Sequence, residues 1–312
     1  MAIDPIESTS VSGVILPDTW SNAKGHTMRL HRKAAVPEAA QAIADGSTDL
    51  LDGALLALQL HTEAASYMWG SAVLIAPGIA LAAKHVVEAM VQQREALGGY
   101  SQIYAFNPCA AELQIWHVRE IKCGSENDVA LLTMHMGRED YGDLDFNVCR
   151  ISARMPQIGE PILMAGFVAD ADSFPIAADP TSPIASSAKR MTSLGVVTEI
   201  YPMGRDQTRL PHSCIEVGVN VSGGMSGGPA FDKDGHLIGL VSSSIHSDDN
   251  SGPTWVSLLW NALLHSVSAS WPPRYYPDDE FRLIDAPFLE VLGRDHLIIE
   301  PDGTLRYRMA TD

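Results

Sequence analysis

From about Leu50 onward, short apolar runs alternate with clusters of turn residues at close spacing, a pattern that predicts many short strands in a sandwich or barrel. The expected strands are 54–60, 70–75, 79–82, 102–106, 112–117 and 129–134, then 161–166, 194–200, 214–219, 229–231 and 237–243. One helix interrupts the first series. Val86, Val87, Met90, Val91 and Leu97 recur near helical spacing, and Gly98-Gly99 stops the run, which predicts a helix over 85–97. A second helix is expected over 255–268, at the end of the second series. Between the series, 137–157 is rich in turn residues and charge and reads as a connection. Near the C-terminus, LIIE-PDG-TLRYR has the form of a hairpin around Pro301-Asp302-Gly303.

The expected organisation is an N-terminal extension over 1–48, a first barrel over 49–140 and a connection over 141–157. A second barrel with its C-terminal helix follows over 158–268, and a C-terminal extension over 269–312. The fold class is therefore all-β, with two six-stranded Greek-key barrels and terminal extensions.

Composition narrows the function. A hydrophobic fraction of 46% and a charged fraction of 19% are those of an ordinary globular chain. The formal charge of −17 argues against nucleic acid as a partner, because phosphates require a basic face. The first twenty residues have neither a basic start nor a continuous apolar core, and no apolar run is long enough to cross a bilayer, so no membrane association and a cytoplasmic location are expected. Cys109, Cys123, Cys149 and Cys214 are widely spaced and contain no CxxC, which fits reduced thiols. No His, Cys or carboxylate set has convincing ligand spacing, so neither metal nor organic cofactor is expected.

The strongest chemical signal is Gly224-Met225-Ser226-Gly227-Gly228-Pro229. A serine hydroxyl attacks poorly unless a tight turn holds it beside backbone N–H groups that receive the developing oxyanion. Glycines permit such a turn. Two further segments stand upstream: a hairpin leading into Ala82-Ala83-Lys84-His85, and Glu126-Asn127-Asp128-Val129-Ala130-Leu131-Leu132. The order His, Asp, Ser, at separations of 43 and 98 residues, suits one barrel carrying His and Asp and another carrying Ser.

Together these segments resemble the chymotrypsin/trypsin-like serine peptidase superfamily in its bacterial-type, disulfide-free branch, over roughly residues 50–265. The resemblance implies a serine endopeptidase in which Ser226 is the nucleophile, His85 the general base and Asp128 the acid that orients it. It implies an oxyanion hole formed by the N–H groups of Gly224 and Ser226. It also places Asn220 at the base of the side-chain pocket, with Ser242, Ser243 and Ser244 on its wall. With no carboxylate at that base, cleavage after uncharged residues is expected. The same fold used as a catalytically silent peptide- or protein-binding module is the alternative. An α/β-hydrolase esterase fits poorly, because Ser226 comes last in the order and strands follow it.

Met225 stands where secreted zymogens of this family carry Asp, and no Ile-Val-Gly-Gly activation site precedes the first barrel. Some other restraint is therefore expected: a peptide flip at Gly223-Gly224, or engagement of a regulatory protein partner or of the protein or peptide substrate. The aromatic residues Trp271, Tyr275, Tyr276, Phe281 and Phe288 are candidates either to anchor such a partner or to cap the second barrel.

Overall fold

A computed structural model of the chain describes residues 9–12, 28–33, 35–36, 51–62, 65–97, 101–108, 113–124, 127–136, 144–169, 176–177, 188–245, 252–273, 275–286, 288–301 and 304–308. Two closed barrels organise it. The first is built from β1 (Leu55–Thr62), β2 (Ala65–Ala76), β3 (Ile79–Ala83), β4 (Ser101–Pro108), β5 (Leu113–Cys123) and β6 (Val129–Met136). Its strands pair in the ring order β1-β2-β3-β6-β5-β4 and back to β1. The second contains β7 (Pro161–Ala169), β8 (Ala188–Tyr201), β9 (Cys214–Val217), β10 (Pro229–Phe231), β11 (Leu237–Ser244) and β12 (Thr254–Leu258). It closes in the matching order β7-β8-β9-β12-β11-β10. All-β architecture with two six-stranded barrels is thus the fold of the chain. One core cluster of buried apolar side chains runs through both barrels and into the C-terminal segment.

Small residues close the first barrel where the site lies. Ala72 pairs with Ala82, and Ala82 with Ala130, and all three are fully buried. Side chains of this size let the strands come together tightly without leaving voids. Helix α1 (Lys84–Leu97) follows β3 directly and buries Val86, Val87 and Met90.

The expected C-terminal helix is corrected. Residues 254–258 form β12, followed by a single 3₁₀ turn at Trp260–Leu264. The apolar run here is buried on both faces, a pattern that periodicity alone cannot distinguish from a buried helix. Pairing decides the matter, because β12 is flanked by β9 and β11 and supplies the sixth strand of the barrel.

The segments outside the barrels are used structurally. Within the connection, Leu144–Cys149 pairs in parallel with Met28–Lys33, and Ile151–Ser152 pairs with Val291–Leu292. The C-terminal hairpin forms as expected, Leu297–Ile299 against Leu305–Tyr307. Trp271, Tyr275, Tyr276 and Phe288 are buried, so these four are unavailable as anchors for a partner. Nor do they simply cap the second barrel. Trp271 meets Trp116 of the first barrel edge to face at 5.0 Å, and the Tyr276 hydroxyl donates to the Pro77 carbonyl at 2.5 Å.

Cys214 is a buried free thiol and Cys123 an exposed one, and Cys149 is buried; Cys109 lies outside the described residues. No helix among the described residues is long and apolar enough to cross a membrane.

Candidate active site

The end of β3, the start of α1 and the turn before β6 converge on Asp128. Asn127 shapes that turn by accepting the Val129 N–H on its own Oδ1 at 3.1 Å. Asp128 is 9% exposed, and its Oδ1 accepts the backbone N–H of His85 at 2.9 Å. The Asp128 carbonyl takes the Lys84 N–H at 3.2 Å. The aspartate thus caps a helix that begins on a different strand, where unpaired N–H groups and the positive end of the helix dipole favour a carboxylate. Lys84 Nζ donates to the Gly124 carbonyl at 2.9 Å.

Oδ2 of Asp128 lies 2.8 Å from Nδ1 of His85 and accepts the Ser242 hydroxyl at 2.5 Å. Burial works against charge on both members of the pair. On Asp128 it is outweighed by the hydrogen bond and charge of His85, with further bonds from Ser242 and the His85 backbone, so its pKa falls below the usual carboxylate value. On His85 burial is likewise outweighed, by the hydrogen bond and charge of Asp128 and the more distant charge of Glu88, and the pKa is raised. Each partner favours the charged form of the other.

Ser226 sits on the second barrel, between a turn at Ser222–Met225 and β10. The Met225 N–H closes the turn on the Ser222 carbonyl at 3.2 Å. The N–H groups of Gly227 and Gly228 donate to Val241 and Met225 at 2.8 and 2.9 Å. Gly224 (φ 95°) and Gly227 (φ 84°) occupy the left-handed region, which a side chain would strain. A Cβ at Gly227 would also lie 2.2 Å from the Ser71 carbonyl. Among the described residues no backbone acceptor takes the N–H of Gly224 or Ser226. The Ser226 hydroxyl donates to the Ser242 carbonyl at 3.4 Å; no hydrogen bond from it to His85 occurs among the described residues. Met225, where the secreted zymogens carry Asp, is fully buried.

Of the expected pocket residues, Ser242, Ser243 and Ser244 line a cleft of about 410 Å³ together with His85 and Asp128. Its far wall holds Arg205, stacked 4.1 Å over the Trp255 ring, and His212, whose Nε2 lies 2.7 Å from the Ser257 hydroxyl. Neither Ser226 nor Asn220 lines this cleft; Asn220 is half-buried in the loop after β9. Sequence reasoning missed that Ser242 bonds Asp128, and it missed the cleft wall from Arg205 to His212. One His/carboxylate cluster among the described residues, Asp232, Asp234 and His236, has ligand atoms within 4.8 Å of one another. Asp232 is already engaged there by Arg154 at 3.1 Å and by the N–H groups of Asp234 and His236, the pattern of a turn-stabilising acid.

Two barrels in this order, with His and Asp on the first and Ser on the second, define the trypsin-like peptidase fold. The model of the trypsin-like peptidase domain matches residues 70–240, more than half of the chain, and the chain belongs to that family. Several solved structures are similar in fold. The crystal structure of Deg5 is 13% identical, with a TM-score of 0.46, over 68% of this chain and 88% of that one. The active form of the Rv3671c protease from M. tuberculosis is 14% identical, with a TM-score of 0.44, over 70% of this chain and 82% of that one. The HtrA-type protease AlgW with a decapeptide is 17% identical, with a TM-score of 0.44, over 66% of this chain and 61% of that one. No curated protein matches the sequence.

Proposed function

We propose that the chain is a serine endopeptidase working through an acyl-enzyme. Ser226 attacks the scissile carbonyl, His85 takes its proton and returns it to the leaving amine, and Asp128 holds the imidazole in place. The N–H groups of Gly224 and Ser226 receive the oxyanion. The observation that carries this reading is the 2.8 Å contact between His85 Nδ1 and a buried Asp128 that also caps the histidine's own helix. That arrangement leaves Nε2 as the proton-accepting nitrogen. Asn220 and the wall Ser242–Ser244 form the side-chain pocket in this reading and favour uncharged residues. With no zymogen switch, a protein partner or the substrate itself completes the active state.

The alternative is a silent peptide-holding module. The Ser226 hydroxyl favours it in one respect, since it donates to Ser242 rather than to His85. Catalytic hydrogen bonds are often loose before substrate binds, which returns the balance to the peptidase. A fluorophosphonate probe discriminates. The peptidase reading expects covalent labelling at Ser226, lost in Ser226→Ala and His85→Ala, with slow digestion of casein by the chain alone. A folded chain that binds peptides but neither labels nor cleaves them would overturn the peptidase reading in favour of the binding module.

A further inference from the structure

The Gly223-Gly224 turn is the least self-supporting part of the site. Its own closing bond, from Met225 to Ser222, is long at 3.2 Å, and neither glycine brings a side chain to pack. Support arrives from the other barrel. Ser71 of β2 is fully buried and makes three hydrogen bonds across the barrel junction. Its N–H donates to the Ser226 carbonyl at 2.8 Å. Its hydroxyl donates to the Gly224 carbonyl at 2.9 Å and accepts the Phe167 N–H at 2.8 Å. The hydroxyl therefore donates once and accepts once, both times to backbone.

We infer that Ser71 is a positioning residue that latches the oxyanion-receiving turn. The inference rests on Ser226 acting as nucleophile. The Gly224 carbonyl belongs to the peptide shared with Met225, and the Gly224 N–H to the preceding peptide with Gly223. Two adjacent peptides joined by a glycine turn freely about each other unless one is fixed. Ser71 fixes the second of them against Phe167 and the first barrel. With Gly224 held at positive φ, the N–H of the first peptide has a set direction. Removing the hydroxyl takes this partner from the part-buried Gly224 carbonyl and the buried Phe167 N–H, and the glycines give the turn the freedom to rotate until they find new partners. Ser71 thus supplies from the first barrel the rigidity that the second barrel's own turn lacks.

The test compares the intact chain with Ser71→Ala, Ser71→Thr and Ser71→Cys. It measures the rate of fluorophosphonate labelling and the kcat and KM for p-nitrophenyl acetate. Ser71→Ala should label and turn over about 10²-fold more slowly, the scale of an ångström-sized misplacement of reacting groups. The loss should fall in kcat, with KM changed by no more than about twofold. Ser71→Thr, which keeps a hydroxyl, should recover most of the rate. A folded Ser71→Ala with wild-type labelling and kcat would overturn the inference, as would a lowered melting temperature with unchanged kcat. If Ser71→Ala fails to fold, Ser71→Thr against Ser71→Cys decides: the thiol is a weak donor and should be the slower, and equal rates would overturn the latch. A wild-type chain that neither labels nor turns over would instead remove the proposed function, and the latch with it.

Discussion

Each barrel carries a buried carboxylate centre, and the two are built for opposite purposes. On the first, Asp128 faces His85, whose ring is half exposed and can titrate. On the second, Arg154 forks between Glu160 Oε2 at 3.0 Å and Asp232 Oδ2 at 3.1 Å, and these two acid side chains are only 5% and 1% exposed. The guanidinium cannot lose its proton, and the Glu160 pKa, raised by burial, is brought below normal by the Arg154 hydrogen bond and the Gln157 N–H. Glu160 also shapes the turn into β7, and Asp232 the turn between β10 and β11. A permanently charged partner makes a strut. A titrating partner on an exposed rim makes a group that can give and take a proton.

The largest expected effect tests the first centre. Asp128→Asn keeps the shape but presents an amide to Nδ1, favouring the wrong tautomer, and should lower turnover by about 10⁴-fold, the scale of that substitution in the trypsin template. Thermal unfolding should move far less than activity. Arg154→Met should show the reverse. It strands two buried acids, and a stability loss of about 3 kcal/mol is expected, the low end for breaking a buried pair because the guanidinium is partly exposed. The activity of the molecules that remain folded should be unchanged. Urea unfolding and labelling on the same samples separate the two. Comparable loss of both properties in both variants would erase the distinction between strut and proton handler.

The same contrast explains what could be read from the chain. His85, Asp128 and Ser226 stood out as candidates because each lies in a short local motif whose chemistry requires its neighbours. The strands were legible wherever apolar runs were broken by turns. The twelfth strand was not, because Trp255 to Leu264 is nearly continuous in apolar residues and only its pairing with β9 and β11 reveals a strand. Interactions across long stretches of sequence were equally hidden. Ser242 reaches Asp128 across 114 residues, Ser71 reaches Gly224 across 153, and Arg154 reaches Asp232 across 78. Nothing local marks a serine as the partner of a distant backbone carbonyl; register and barrel closure determine it.

The smallest effect, and the sharpest for the comparison, lies in pH. Activity needs neutral His85, so it should rise with pH through the folded-state titration of His85, centred above the ordinary imidazole value because Asp128 and Glu88 outweigh burial. Stability should run the other way there. A raised His85 pKa contributes stability that is complete below the unfolded value of about 6.5 and is lost as pH rises through the folded value. The lowered Asp128 pKa contributes stability present above its unfolded value of about 3.9 and lost as pH falls through the folded one. The first centre should therefore stabilise most between about pH 4 and 6.5 and lose part of that contribution just where activity climbs. In the second centre Arg154 stays charged, and the lowered Glu160 pKa gives an acid limb, with stability lost as pH falls. Because burial lowers the pKa of His117, His135, His212 and His265 and so adds stability as pH rises, the first centre is read in a difference: the melting-temperature advantage of the wild type over His85→Ala should decline through neutrality. Asp128→Asn should abolish that decline, because burial then opposes the His85 charge more than Glu88 favours it, and Arg154→Met should preserve it. A neutral decline that survives in Asp128→Asn would detach the pair from the pH response.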